Sequence, residues 1–367
     1  MKGSIRPFRS LALVGALALL LAACSSDDGG GGGTGGGNDQ NAGDRTLVIS
    51  NWDAYMPKKL IPNFEAATGI DVQLAIHTTN EDIMGKITAQ DGGGFDVVFV
   101  SGPFVQALVA QGWAAELDHS QIPNLANLYP EATQLAFDPG NRYSIPYAWG
   151  TTGICYRTDL VQQMPSSWDV FRNPPADLAG KMTMLGTDRW LLQPALISLG
   201  YSINTTNPAQ IEEATAWTLE AKDNLLGFDD TTFYSKLVSG EASLVQAWDG
   251  WCEYGRADEP KIDFVVPDEG SDVWTDTMVI LASSEHKEEA HEFLNYVLDP
   301  KVGASVSGFV LYKVPNEPAM ESVDPALLEQ FPTLALSPSD LFQQEAEEDL
   351  GQGVSAWSEA VAQIKAG

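Results

Sequence analysis

Thr46-Leu47-Val48-Ile49-Ser50-Asn51, Asp71-Val72-Gln73-Leu74-Ala75-Ile76 and Phe95-Asp96-Val97-Val98-Phe99-Val100 are three apolar runs of strand length, separated by two stretches of helical periodicity. Between the first two runs, Pro57 stands where a helix would begin, and Leu60, Ile61, Phe64 and Ala67 recur at helical spacing until Gly69 stops it. Between the second and third, Asn80 is placed to cap a helix carrying Ile83, Met84 and Ile87, and Gly92 to Gly94 form the turn into the last run. Strand, helix, strand, helix, strand predicts a parallel sheet buried on both faces. Phe104 to Gln111 continues as a helix that Gly112 ends.

A second alternation begins near Gly150. Gly153 to Tyr156 reads as a short strand, Ser167 to Phe171 as a helix start, Met182 to Leu185 as a strand, Leu191 to Leu199 as a helix and Ala242 to Trp248 as an apolar strand. From about residue 275 the chain returns to a strand, Met278 to Leu281, then the helix Lys287 to Leu298, a proline-punctuated stretch, and a final helix near Ser355 to Lys365. The expected fold class is therefore α/β with two lobes. Open α/β sheets bind ligands beyond the carboxyl ends of their strands, so facing lobes would share a cleft there.

Ahead of these lobes lies a basic stretch with Lys2, Arg6 and Arg9, an apolar run from Leu11 to Ala22, and the quartet Leu21-Ala22-Ala23-Cys24. The apolar run is too short for a permanent membrane span and reads as an export signal over residues 1–23. The quartet resembles the bacterial lipobox, which implies a diacylglycerol on Cys24; an ordinary secretory cleavage site is the competing reading. Residues 24–44, with Gly29 to Gly33 and Gly35 to Gly37, form a flexible tether whose mean reach is on the order of 25 Å. The expected location is extracytoplasmic, held to the cell membrane by that lipid alone, on its periplasmic or outer face.

About 320 residues remain after the leader, enough for two domains with real cores. Losing residues 1–23 leaves 17 Lys and Arg against 50 Asp and Glu, a formal charge of −33, which repels nucleic acid and attracts cations. Cys155 and Cys252 are either a disulfide or two buried thiols. His77, His119, His286 and His291 lack metal-ligand spacing, and no metal or cofactor is expected. The chain has no Gly-x-Ser-x-Gly elbow, no His-Glu-x-x-His helix and no Cys-His constellation, so an enzyme is not expected.

Asn51-Trp52-Asp53-Ala54-Tyr55, Phe95-Asp96-Val97-Val98, Ser144-Ile145-Pro146-Tyr147-Ala148-Trp149-Gly150, Leu199-Gly200-Tyr201-Ser202 with Asn204-Thr205-Thr206, and Trp274-Thr275-Asp276 follow one another in a particular order. That series resembles the polyamine-binding family of extracytoplasmic solute-binding proteins, the spermidine and putrescine receptors of ABC importers, from about Thr46 to Gly367. The resemblance implies a periplasmic-binding-protein-like fold of type II, with lobe 1 over residues 45–148 plus 275–320, lobe 2 over 149–274 plus 321–367, and a ligand cleft between them. It implies a monomer that hands a polyamine to an ABC permease and its ATPase.

By the same resemblance Trp52, Tyr55, Trp248, Trp274 and Tyr312 are aromatic walls, Asp276 is the carboxylate that pairs with one amine, and Ser101 is a polar cleft position. The chain departs from the family's spermidine binders at Ala54, Thr187 and Trp190, where those proteins carry acidic residues; Asp188 is the nearby substitute. Glu347 aligns with a family glutamine and offers a second carboxylate, although Glu345, Glu347, Glu348 and Asp349 together also read as a solvated acidic face. Asp53 is a cleft contact or a helix cap, and Asp249, before Gly250, a cleft contact or a turn residue. Trp190 and Trp251 add further aromatic surface. The alternative ligand is another organic cation, such as a quaternary ammonium or an amine derivative.

Overall fold

The computed structural model describes residues 45–366, apart from the side chain of Asp188. The export signal, the tether and Cys24 lie outside the described residues. Within them, the expected first alternation forms as β1 (Thr46–Trp52), α1 (Leu60–Thr68), β2 (Asp71–His77), α2 (Asn80–Ala89), β3 (Val97–Ser101) and α3 (Gly102–Ala110). A mixed middle follows: β4 (Ser144–Gly150), β5 (Thr152–Arg157), β6 (Met182–Met184), α4 (Asp188–Ser198), α5 (Pro208–Lys222), β7 (Gly227–Phe228), α6 (Phe233–Ser239), β8 (Leu244–Trp248), α7 (Asp249–Asp258) and β9 (Ile262–Val265). The chain ends with β10 (Asp272–Ile280), α8 (Lys287–Val297), α9 (Pro300–Val310), α10 (Glu317–Glu321), α11 (Pro325–Gln330), α12 (Pro338–Leu341), β11 (Glu345–Ala346) and α13 (Val354–Ala366).

The strands divide between two sheets. The first runs β11-β10-β3-β1-β2, with β4 also on β10; the second runs β7-β6-β8-β5-β9. β1, β2 and β3 are parallel as expected, with β1 in the middle. β10 is antiparallel to both β3 and β4, so the first sheet is mixed rather than parallel throughout. Burial on both faces also fails at β2, an edge strand whose Leu74 and Ile76 are 40% and 44% exposed. The chain passes from the first sheet to the second at Thr151, returns between β9 and β10, and crosses again after β11, the last strand of the first sheet, to α13, which packs on α4 and α5.

Each sheet has its own core. Leu47, Ile49, Phe64, Phe99, Trp149, Met278 and Phe293 pack together in the first lobe. Trp168, Phe171, Leu191, Leu192, Trp217 and Trp357 do so in the second. Cys155 on β5 and Cys252 on α7 form a disulfide with their Cα atoms 5.7 Å apart, which resolves the open alternative.

Local signals were displaced by tertiary detail at three places. Thr79, not Asn80, caps α2, its hydroxyl accepting the Asp82 N–H, while Asn80 is already helical. Ser167 caps only the single 3-10 turn Trp168–Val170. The proline-punctuated stretch contains α9, with Pro300 in its first turn and the Asp299 carboxylate accepting from the N–H groups of Lys301 and Val302.

Candidate binding cleft

Strand β10 alternates Asp272, Trp274 and Asp276, so these three side chains share one face of the sheet. Asp276 lies opposite Ser101 at the end of β3 and opposite Ala148 on β4. The Ser101 hydroxyl donates to Asp276 Oδ1 and the Tyr55 hydroxyl to Oδ2, each at 2.7 Å. Both donors are themselves fixed. Asn80 accepts from the Ser101 N–H and donates to the Ser101 hydroxyl, both at 3.0 Å, and Tyr147 donates from its hydroxyl to the Tyr55 carbonyl at 2.7 Å.

Asp276 is half-buried and has no Lys or Arg partner among the described residues. Burial pushes its carboxyl up to about 6, against the downward pull of the Ser101 and Tyr55 hydroxyls. The same burial, with the charge of Asp276, holds the Tyr55 phenol well above its ordinary value. A carboxylate with two hydroxyl donors and no cation is an incomplete ion pair.

An aromatic cluster begins at Tyr55, the hydroxyl partner of Asp276. Trp52 meets Tyr55 edge-on at 5.5 Å, Tyr312 lies 6.1 Å from Tyr55, and Trp274 meets Tyr312 edge-on at 4.8 Å. From the second lobe, Trp248 at the end of β8 and Trp190 in the first turn of α4 meet at 5.1 Å. Trp190, Trp248 and Trp251 pack against core residues of both lobes, which puts them where the lobes face each other. Trp251 also sits among Phe233, Tyr234 and Tyr254, a wall of the second lobe.

Glu347 does not lie on a solvated face. It is 8% exposed and has no hydrogen-bond partner among the described residues. Burial is the main force that pushes it up to about 8; the nearby charges of Asp272 and Asp276 add to that and Arg189 opposes it. Its segment is pinned by neighbours. Asn204 donates to the Ala346 carbonyl and accepts from the Glu348 N–H, and Arg189 donates to the Glu348 carbonyl. Glu345 accepts from the Ile203 N–H.

The other carboxylates have different surroundings. Asp249 is buried against Lys313, Oδ2 to Nζ at 2.9 Å, and Lys313 also donates to the Thr333 carbonyl. Its charge is thus already met by the protein, and it begins α7 rather than a turn. Asp53 is exposed, without a hydrogen-bond or ion-pair partner among the described residues; α1 begins at Leu60 with Lys59 as its cap residue, so Asp53 does not cap it. Asp188 is the first residue of α4, and its side chain is outside those described.

Asn80, Tyr147 and Asp272 hold these side chains in place and were not named as site residues from the sequence. Asp272 had a readable signal, its period-two spacing from Trp274 and Asp276. Its fully buried carboxylate accepts the Trp190 indole N–H at 2.9 Å and the Thr152 N–H at 2.8 Å.

Residues 59–327 match the family described as bacterial extracellular solute-binding protein. The spermidine/putrescine-binding periplasmic protein of Escherichia coli K12 is 31% identical over 325 residues, 88% of this chain and 92% of that protein. The spermidine/putrescine ABC transporter substrate-binding protein PotD of Streptococcus pneumoniae superposes with a TM-score of 0.76 at 28% identity, covering 88% of this chain and 98% of the other. The TpPotD lipoprotein of Treponema pallidum gives 0.79 at 26% identity, covering 87% and 99%.

Proposed function

Because the chain belongs to the bacterial extracellular solute-binding proteins, we propose that it captures an aliphatic polyamine of the putrescine or spermidine kind and delivers it to an ABC importer. The observation that carries this reading is Asp276: a half-buried carboxylate oriented by Tyr55 and Ser101, next to the aromatic cluster that Tyr55 joins, and lacking a basic partner among the described residues. The relatives' names supply the same ligand class, and they do not favour the other organic cations.

The chemistry of an alkyl diamine fits these surroundings. An ammonium entering the cleft loses its water, and a charge-assisted hydrogen bond to Asp276 returns roughly 1.5–3 kcal/mol. A ring face such as that of Trp52, Trp248, Trp274 or Tyr312 adds up to ~2 kcal/mol when the cation is desolvated. The methylenes between two amines need flat apolar walls, which the same rings provide. Glu347, buried and unpartnered, is the candidate for the second amine. Contacts made by one ligand to both lobes favour the closed state, which is how binding would drive closure. The lobes are taken to divide near 45–148 plus 275–320 and 149–274 plus 321–367, with Cys24 lipidated, the permease and its ATPase as partners and the receptor acting as a monomer.

Calorimetric titration of the full-length chain with putrescine, cadaverine, spermidine, spermine and agmatine tests the reading. One of them is expected to bind, and Asp276→Asn to weaken it about tenfold or more, the loss of one charged hydrogen bond. No binding by any of the five would refute the polyamine assignment.

A further inference from the structure

Trp190 is anchored at its indole N–H, its backbone carbonyl and its ring. Its indole N–H is spent on the fully buried carboxylate of Asp272, its backbone carbonyl accepts from the Gln246 side chain at 2.8 Å, and its ring abuts Trp248 at 5.1 Å. Asp272 in turn takes the Thr152 N–H, while the Thr151 hydroxyl donates to the Asp272 carbonyl at 2.7 Å. The ring of Trp190 is thereby tied to two of the strands by which the chain crosses between lobes. It cannot swing aside without leaving a buried carboxylate short of a donor.

Strand β10 acts as a ruler beneath the cleft. Asp276 and Asp272 lie four residues apart on one face, with Trp274 between them, about 13 Å along an extended strand. At the Asp276 end the carboxylate lacks a cation. At the Asp272 end the carboxylate is fully buried behind the indole that donates to it, so the ligand meets a fixed ring instead of carboxylate oxygens. Among the described residues Asp276 and Glu347 have no Lys or Arg partner; the fully buried Asp272 has none either but is hydrogen-bonded by the Trp190 and Thr152 N–H groups, and Asp249 is paired with Lys313.

Resting on the polyamine reading above, we propose that Trp190, positioned by Asp272, is the selectivity wall of the cleft: it accommodates a diamine held by two carboxylates and rejects the extra aminoalkyl arm of a triamine. Trp190 is the specificity-determining residue. Asp272 is a positioning residue that acts through it.

The test compares putrescine and spermidine affinities on the full-length chain and its variants by calorimetry, using their ratio because a folding defect lowers both affinities together. The native chain is expected to favour putrescine. Trp190→Ala is expected to shift the ratio toward spermidine by about tenfold or more. Trp190→Phe keeps a flat ring but has no N–H for Asp272, and is expected to shift the ratio part of the way and to lower the melting temperature, because a buried carboxylate loses its donor. A native preference for spermidine, or a ratio in Trp190→Ala unchanged while both amines bind, would overturn the proposal and leave the polyamine reading standing. If the native chain binds neither amine nor any of the other three polyamines, both fall together.

Discussion

At the residue scale, the cleft's acidic groups are tuned by what surrounds them. Burial raises Asp276 from 3.8 to about 6 and Glu347 from 4.5 to about 8. Without ligand, the native state keeps protons in that window that the unfolded chain has released. Its stability from these groups is therefore full below the ordinary carboxyl values and is lost as pH rises toward about 8. An amine ligand reverses the preference, because it pairs with the ionised forms. Putrescine affinity is accordingly expected to climb between about pH 5 and pH 8 with proton release on binding. Calorimetry in buffers of different ionisation enthalpy reads this directly, and a flat profile without proton release would count against Glu347 and Asp276 as anchors. Asp276, Tyr55 and Ser101 were legible as a set from their motifs. That Asp249 is neutralised was not, because its partner Lys313 lies 64 residues away and only the fold brings them together.

At the element scale, the crossing strands leave little room for change. A side chain at Gly150, the last residue of β4, would put its Cβ 2.3 Å from the Trp274 ring and 2.4 Å from Asp249. Gly150→Ala is therefore expected to lower both the melting temperature and polyamine affinity, by displacing a cleft wall; an unchanged calorimetric titration would show that the wall can yield. The Cys155–Cys252 bridge ties β5 to α7 across 97 residues. Loop entropy assigns such a link about 4–5 kcal/mol, so reductant, or Cys155→Ser with Cys252→Ser, is expected to lower the denaturant midpoint by a comparable stability. Reduction that leaves the midpoint in place would mean the unfolded chain gains little freedom. Although β10 starts at Asp272, six residues before the expected Met278, most strands and helices with strong periodicity were readable within a few residues. The caps were not, because Thr79 and Asn80 are both competent and Asn80 was claimed by Ser101.

At the scale of the whole molecule, a buried ion pair joins the lobes. Asp249 begins α7 of the second lobe, and Lys313 follows α9, where its backbone bridges Trp149 of the first. Lys313→Ala leaves a buried carboxylate alone and is expected to cost about 3–5 kcal/mol in chemical denaturation. Asp249→Asn combined with Lys313→Met is expected to recover most of it, since no charge is then stranded. A different prediction concerns the leader. Cys24→Ala is expected to move the protein from the membrane to the soluble fraction, and continued membrane association in fractionation would exclude the lipid as its sole anchor.

Strand and helix periods, the acidic composition and an ordered series of motifs determined an α/β receptor of two lobes, and they pointed to Asp276 and its aromatic neighbours, because those features are local or lie along the chain. The tertiary structure alone decided the direction of β10, the pairing of Cys155 with Cys252, the neutralisation of Asp249, the burial of Glu347 and the tie between Asp272 and Trp190. Each of these depends on which distant segments share a dry interior, where an unpaired charge or N–H is costly, and sequence spacing carries no information about such neighbours.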